Sequence, residues 1–316
     1  MKKILVMLIV SLLVGSSLAQ SDISMATHWY NRANYNPASI ARPGYMYIFS
    51  NIRQQWAGVS GSPQTINFQM SAFHYPSRSA FGFSLVSDRT GVTTSINPML
   101  TYAYRIADDD KNSAFSMGLS AGVFGRFFDG SAYEPEQEND QAISTNNLTY
   151  IRPDANVGME YQSNLFIAGL SVTHVFSILS TETLYLNSSH NYGYLIFKIT
   201  KPEFASYYLG AQVVNQGGNF YYEGNAMVRI KKPTGLNPGP QELFDLGISY
   251  RNTRLFTAFA GINISRNFRV AYTYGRSFTS GYSSNASHEI MLEYRIPFHW
   301  AACIPCLNNA REDWYR

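Results

Sequence analysis

Asn267-Phe268-Arg269-Val270-Ala271-Tyr272-Thr273-Tyr274-Gly275 alternates without a slip. Phe268, Val270, Tyr272 and Tyr274 fall on one side, and Asn267, Arg269, Ala271, Thr273 and Gly275 on the other. Side chains along a strand point to opposite faces in turn, so this stretch predicts a strand with one apolar and one polar face. Glu289 to Phe298 repeats the pattern, with Ile290, Leu292, Tyr294, Ile296 and Phe298 against Glu289, Glu293 and Arg295. Ile96 to Ile106 does so again, with Leu100, Tyr102, Tyr104 and Ile106 opposing Asn97, Thr101, Ala103 and Arg105. Helical spacing fits none of the three.

From Tyr45 onward the chain is built of such segments, about ten residues each and divided by turn residues. Strands are expected near 45–57, 63–75, 79–88, 94–106, 113–126, 154–162, 164–176, 190–200, 204–215, 219–231, 243–251, 254–264, 267–277 and 287–298. That makes about fourteen, the even number a bacterial single-chain barrel carries. Composition agrees. Charged residues are 14% of the chain, against roughly 25% in soluble domains. Aromatics reach 15%, yet mean hydropathy is slightly negative at −0.17. One face for lipid, one for a polar lumen and aromatic girdles between them produce that mixture. A net charge of +3 with scattered Lys and Arg gives no nucleic-acid footprint. The expected fold class is therefore an all-β, transmembrane antiparallel β-barrel.

The N-terminus suits export. Lys2 and Lys3 precede an apolar run, Ile4 to Leu13, and Ser17-Leu18-Ala19 supplies small residues for cleavage before Gln20. The expected division is a signal peptide at 1–19, a periplasmic segment at 20–44, the barrel at 45–298 and a periplasmic tail at 299–316. Both termini are expected in the periplasm of a Gram-negative cell. The segments 88–93, 127–153, 177–189 and 278–286 then face outward as the longer loops. Lys231 to Glu242 is long yet falls on the periplasmic side.

Catalytic and metal chemistry find little support. Cys303-Ile304-Pro305-Cys306 has redox spacing but lacks the strand and helix N-terminus that activate such a thiolate, so a periplasmic disulfide or idle thiols is the simpler reading. The histidines show no ligand spacing. Asp108-Asp109-Asp110-Lys111-Asn112 lacks alternating calcium ligands and reads as a solvated turn. No nucleophile elbow or phosphate loop stands out, and neither an enzyme nor a cofactor is expected. Two features retain functional weight. Arg53, Arg105, Arg126, Glu160, Arg229, Glu289, Glu293 and Arg295 are assigned to the lumen, where they line a channel, bind a plug or cargo peptide, or pair with one another to fill a narrow interior. The acidic stretch Glu134-Pro135-Glu136-Gln137-Glu138-Asn139-Asp140 sits in a long outward loop and reads first as a solvated surface, second as a place to hold an exported partner.

Several stretches resemble the PorP/SprF family of outer-membrane proteins of the type IX secretion system of Bacteroidetes. Tyr30 followed by Asn36-Pro37-Ala38 is similar to the family's opening. Arg53, Gln55 and Trp56, then Pro63-Gln64, resemble its Arg-x-Gln-Trp strand and following loop. Asp88 with Gly91, the strand Leu165 to Val172, Gly247 to Arg251, and Ser287-His288-Glu289 look like later family segments. Gly275-Arg276 departs from it, where the family often carries an Asp. The resemblance implies a barrel in outer-membrane lipid whose partners are type IX ring and lipoprotein components. It also implies secreted or surface cargo with a C-terminal sorting domain as a further partner. A porin for small solutes is the other reading.

Overall fold

The computed structural model describes residues 25–108, 112–132, 146–179, 188–200, 204–232, 241–278 and 286–297. The expected signal peptide, the acidic stretch 134–140 and Cys303 and Cys306 lie outside them.

Each alternating segment forms a strand, and all pair antiparallel with their sequence neighbours. The strands are β1 (Tyr45–Gln54), β2 (Gln64–His74), β3 (Ser79–Thr90), β4 (Thr93–Asp108) and β5 (Ser113–Phe128). Next come β6 (Leu148–Ser163), β7 (Phe166–Thr173), β8 (His190–Ile199), β9 (Ala205–Gln216) and β10 (Asn219–Lys232). The last are β11 (Gln241–Arg251), β12 (Leu255–Asn263), β13 (Phe268–Ser277) and β14 (Ala286–Pro297). β1 pairs with β14 from Tyr45↔Pro297 to Gln54↔His288, which closes the barrel and removes both edges. Closure satisfies the backbone internally, as a lipid environment requires. The polar face of each strand turns inward: Asn51, Asn67, Thr257 and Thr273 are buried, while Leu100, Leu119, Leu170 and Leu209 are exposed outward.

The end bearing Tyr45 and Pro297 is here the terminal end, and the opposite one the distal end. The wide connections β5–β6, β7–β8, β13–β14 and β1–β2 are all distal. The β10–β11 connection, at the terminal end, keeps the length noted in the sequence.

Three boundaries differ materially from expectation. β6 begins at Leu148 rather than near 154, because Arg152-Pro153-Asp154 hides the alternation while Val123↔Pro153 still aligns with β5. Expected loop 127–153 shortens accordingly. β7 ends at Thr173 and the chain turns into a 3-10 turn, Val175–Leu179, with His174 at a left-handed φ of +55°. β1 stops at Gln54, short of the expected 57, because Trp56 adopts φ +49° and the chain leaves the sheet.

The largest difference concerns the segment expected to stand in the periplasm. From Met25 to Ala41 it lies inside the barrel as three 3-10 turns: η1 (Ala26–Trp29), η2 (Arg32–Asn34) and η3 (Pro37–Ile40). A barrel of eight strands is filled by its own side chains, whereas porins of 16–18 strands leave a water channel. Fourteen strands leave more room than wall side chains fill, and the chain supplies the filling itself.

Candidate functional site

The site is the plug and the wall that receives it. Asn31 and Asn36 start the last two turns, each accepting a hydrogen bond two residues on, from Ala33 N–H at 3.2 Å and Ala38 N–H at 3.0 Å. Pro37 occupies the first position of η3, where a missing N–H costs nothing. Short 3-10 turns let a seventeen-residue stretch (25–41) reverse direction while keeping its backbone bonded.

Glycines in the wall make room for it. A Cβ at Gly118 would overlap the backbone of Pro37 and Ala38, and one at its cross-strand partner Gly158 would overlap Asn36. Together they form a notch for Asn36-Pro37-Ala38. Gly210 accommodates the ring of Trp29, Gly82 takes Ile40, and Gly261 takes Tyr30. Glycine inside a strand weakens it and marks close approach of another chain segment. Asn36 is locked in the notch by donating from Nδ2 to the Met159 carbonyl (3.0 Å) and to Tyr194 Oη (2.8 Å).

Around the plug the lumen is packed rather than open. Trp29 and Tyr35 meet Ile167, Tyr194 and Ile196; Tyr30 meets Phe49, Phe259, Ala271 and Met291; Ile40 and Ala41 meet Phe73, Ala80 and Ala103. Each large side chain buried this way contributes about 1.5–3 kcal/mol before ordering costs.

Carboxylates of the wall hold the plug by charge. Glu289 accepts hydrogen bonds from the backbone N–H groups of Ala26 (2.7 Å) and Thr27 (3.1 Å), with the Arg53 guanidinium 3.5 Å away. Glu223 accepts from Trp29 Nε1 at 2.9 Å, lies 3.4 Å from His28 Nε2, and is paired on its other side with Arg251 at 2.7 Å. Glu160 binds Arg32 through two contacts of 2.8 and 3.2 Å and accepts from Tyr194 Oη at 2.5 Å. Burial pushes the His28 imidazole below its ordinary value, outweighing the pull of Glu223.

The remaining expected lumen residues distribute as follows. Arg105 donates to the Ala41 carbonyl at 3.1 Å, tying down the end of the plug. Arg229 is held by Asp245 (2.7 Å) and Glu242 (2.9 Å). Glu293 lies 3.0 Å from Arg295 and 3.4 Å from Arg269. Arg126 is half-buried over Phe124 at 5.4 Å, with a 3.4 Å contact to Ser95 Oγ. Sequence reasoning missed Arg32, Glu223, Glu242, Asp245 and the wall glycines as parts of this network. Glycines at inward positions of otherwise regular strands were the available signal.

The residues carrying the family resemblance meet in two places. Asn36, Pro37 and Ala38 are in the notch, and the Arg53–Glu289 pair holds the plug's first turn. Apart from the segments Leu165 to Val172 and Gly247 to Arg251, which run along β7 and β11, the others gather at the distal rim. There Gln55 N–H donates to the Pro63 carbonyl (2.9 Å), and the loop residue Ala57 donates to Ala286 at the start of β14 (3.0 Å). Gln64 opens β2, and Trp56 stands exposed between the two strands. Asp88 accepts from Thr65 Oγ1 (2.6 Å), Gly91 N–H donates to the Gly61 carbonyl (2.9 Å), and His288 Nδ1, next to Ser287, lies 2.6 Å from Tyr272 Oη.

No helix among the described residues is long and apolar enough to cross a membrane, and none of them forms a cluster of metal-ligating side chains. A closed fourteen-strand barrel with an apolar exterior and a lumen filled by its own N-terminal segment is an outer-membrane barrel of the plugged class. The family model described as "Type IX secretion system membrane protein PorP/SprF" matches residues 17–294. The chain belongs to the PorP/SprF family. A comparison with curated proteins gave no match. Among solved structures, a Pseudomonas aeruginosa FadL homologue is similar at 12% identity and a TM-score of 0.46, over 84% of this chain and 93% of that one. CdiB from Acinetobacter baumannii is similar at 6% and 0.36, over 79% of this chain and 60% of that one. A mutant Rh. blastica porin stands at 6% and 0.33, over 80% and 99%.

Proposed function

We propose that this barrel is an attachment component of type IX secretion. It would link the machinery to cargo proteins with a C-terminal sorting domain, or retain them at the surface. The observation that carries this is the filled lumen: a plug continuous with the wall, seated on glycines and tied to Glu160, Glu223 and Glu289. A solute channel needs the space this plug occupies, whereas an attachment protein needs a rigid body with usable rims. The distal rim around Trp56 and the long distal connections are the surface offered to cargo outside the cell. With residues 25–41 committed to the lumen, contact with ring and lipoprotein components falls to the terminal-end turns, the β10–β11 connection and the tail.

The reading is tested by mild-detergent capture of the tagged chain from outer membranes, with mass spectrometry of what accompanies it. Co-purification of a sorting-domain protein or of ring and lipoprotein components is expected. A partnerless barrel would contradict the proposal.

A further inference from the structure

Beside the plug, toward the terminal end, lies a cavity of about 70 Å³. Trp29, Tyr30, Arg32 and Arg42 bound it on the N-terminal segment's side, and Arg229, Arg269 and Arg295 on the wall's. Five guanidinium groups thus line this space, against a single carboxylate, Glu293. Pairing leaves one of the five over. Glu160 holds Arg32 at 2.8 Å, and Asp245 and Glu242 hold Arg229 at 2.7 and 2.9 Å. Glu293 lies between Arg269 and Arg295, at 3.4 and 3.0 Å. Half-buried Arg42 has no carboxylate within ion-pair distance among the described residues. It lies over the Tyr47 ring at 4.4 Å, and its Nη2 touches Asn31 Oδ1 at 3.4 Å.

The imbalance widens toward the terminal mouth. Arg105, Lys198 and Lys231 are also buried there, near the terminal ends of β4, β8 and β10. The carboxylates buried at this end, among the described residues, remain Glu160, Glu242, Asp245 and Glu293. Lys231 Nζ reaches only a carbonyl, that of Thr200 at 3.1 Å. Buried charge is tolerated when it is paired, so surplus positive charge beside an unfilled space favours an anion in that space. A water molecule's share of the liquid is about 30 Å³, so the cavity has room for one group of four or five heavy atoms. Tyr208, half-buried in the lining, adds a hydroxyl, and Trp29, Ile167 and Ile196 make the remaining surface apolar.

We propose that this cavity binds a small oxyanion of the size and charge of hydrogen phosphate. The inference stands apart from the secretion reading and does not depend on it. Arg42 donates to the anion from its terminal nitrogens and Tyr208 from its hydroxyl, while the paired arginines supply the surrounding positive field. Arg42 follows directly on the plug and Tyr208 belongs to β9, so the bound anion ties the plug to the wall.

The test is phosphorus NMR of inorganic phosphate added to the detergent-solubilised full chain, with chloride as the only other anion. Broadening of the phosphate line is expected, with a Kd on the order of 1 mM for so small a ligand. Phosphate should also slow protease cleavage within residues 25–44, where chloride at matched ionic strength does not. Arg42→Gln removes the guanidinium that lacks a carboxylate, so the barrel keeps its heat-modifiable migration while phosphate binding weakens roughly tenfold. Arg42→Lys keeps the charge without the fork and should restore part of that loss. Tyr208→Phe should weaken binding roughly threefold, and serves as the second variant should Arg42→Gln release the plug. Absence of broadening at concentrations about tenfold above that Kd would leave only water in the cavity and overturn the proposal. Equal protection by chloride would overturn it too. So would undiminished binding in both Arg42→Gln and Tyr208→Phe, which would place the phosphate on exposed cations elsewhere.

Discussion

Gly118 and Gly158 matter because of what they lack. A side chain at either one meets the backbone or Asn36 of the plug, and neither the backbone nor a bonded asparagine can yield cheaply. Gly118→Leu is expected to expel the Asn36-Pro37-Ala38 turn at a cost of about 1–3 kcal/mol or more. The barrel itself should persist, read as unchanged heat-modifiable migration together with new protease cleavage in residues 25–44. Glu160→Gln leaves Arg32 buried without its counter-charge and should destabilise plug docking by about 3–5 kcal/mol. Pairing it with Arg32→Met should recover much of that loss in the same protease assay. His28 carries a pH dependence. Its pKa is lowered in the folded state from 6.5, so only the undocked chain gains the proton as pH falls. Docking is therefore fully favoured above pH 6.5 and weakens progressively below it. His28→Gln should flatten that profile of plug cleavage against pH. Little of this was legible in the sequence. Alternation assigns Arg53, Glu160 and Glu289 a face, but a face does not say which partner waits inside. The partners of Glu160, Glu223 and Glu289 come from a segment whose lack of periodicity made it look external.

At the level of elements the sequence was far more readable, for one physical reason. Each strand separates two solvents, and period-two alternation records that separation residue by residue. Every expected strand is present in β1–β14, and errors fall where another constraint interrupts the alternation. Pro153 and its charged neighbours hide the first turn of β6, and the φ +49° of Trp56 ends β1 early. The alternation also predicts which substitutions a strand tolerates. Leu100 is 69% exposed on the outer face near the middle of β4, whereas Thr101 faces inward beside Ser120, with hydroxyl oxygens 2.8 Å apart. Leu100→Arg should cost about 2–4 kcal/mol of barrel stability when refolded in lipid. Thr101→Ser should cost under about 1 kcal/mol. The comparison is made by urea titration in vesicles of both variants against the parent chain. The N-terminal segment was misplaced at this scale, because short 3-10 turns carry no period that could announce burial.

For the whole molecule, strand number and plug form one design. Fourteen strands enclose a volume that their own side chains leave unfilled. The chain closes it with Met25–Ala41, whose aromatic residues make much of the buried apolar packing inside the barrel. The separate spaces beside the plug, about 120, 70 and 60 Å³, are small against a porin's aqueous lumen. On the proposed reading that arrangement is a body for attachment with its recognition surfaces at the rims, which is why the lumen, and not a loop, decides between the two readings of function. The central claim is thus that the barrel is closed by its own chain. Its most direct test is single-channel recording in planar bilayers, comparing the full chain with a variant lacking residues 25–41. The full chain should insert without conducting, and the shortened barrel should give steady ohmic steps. Steady conductance from the full chain, equal to that of the shortened one, would contradict the account and restore the porin reading.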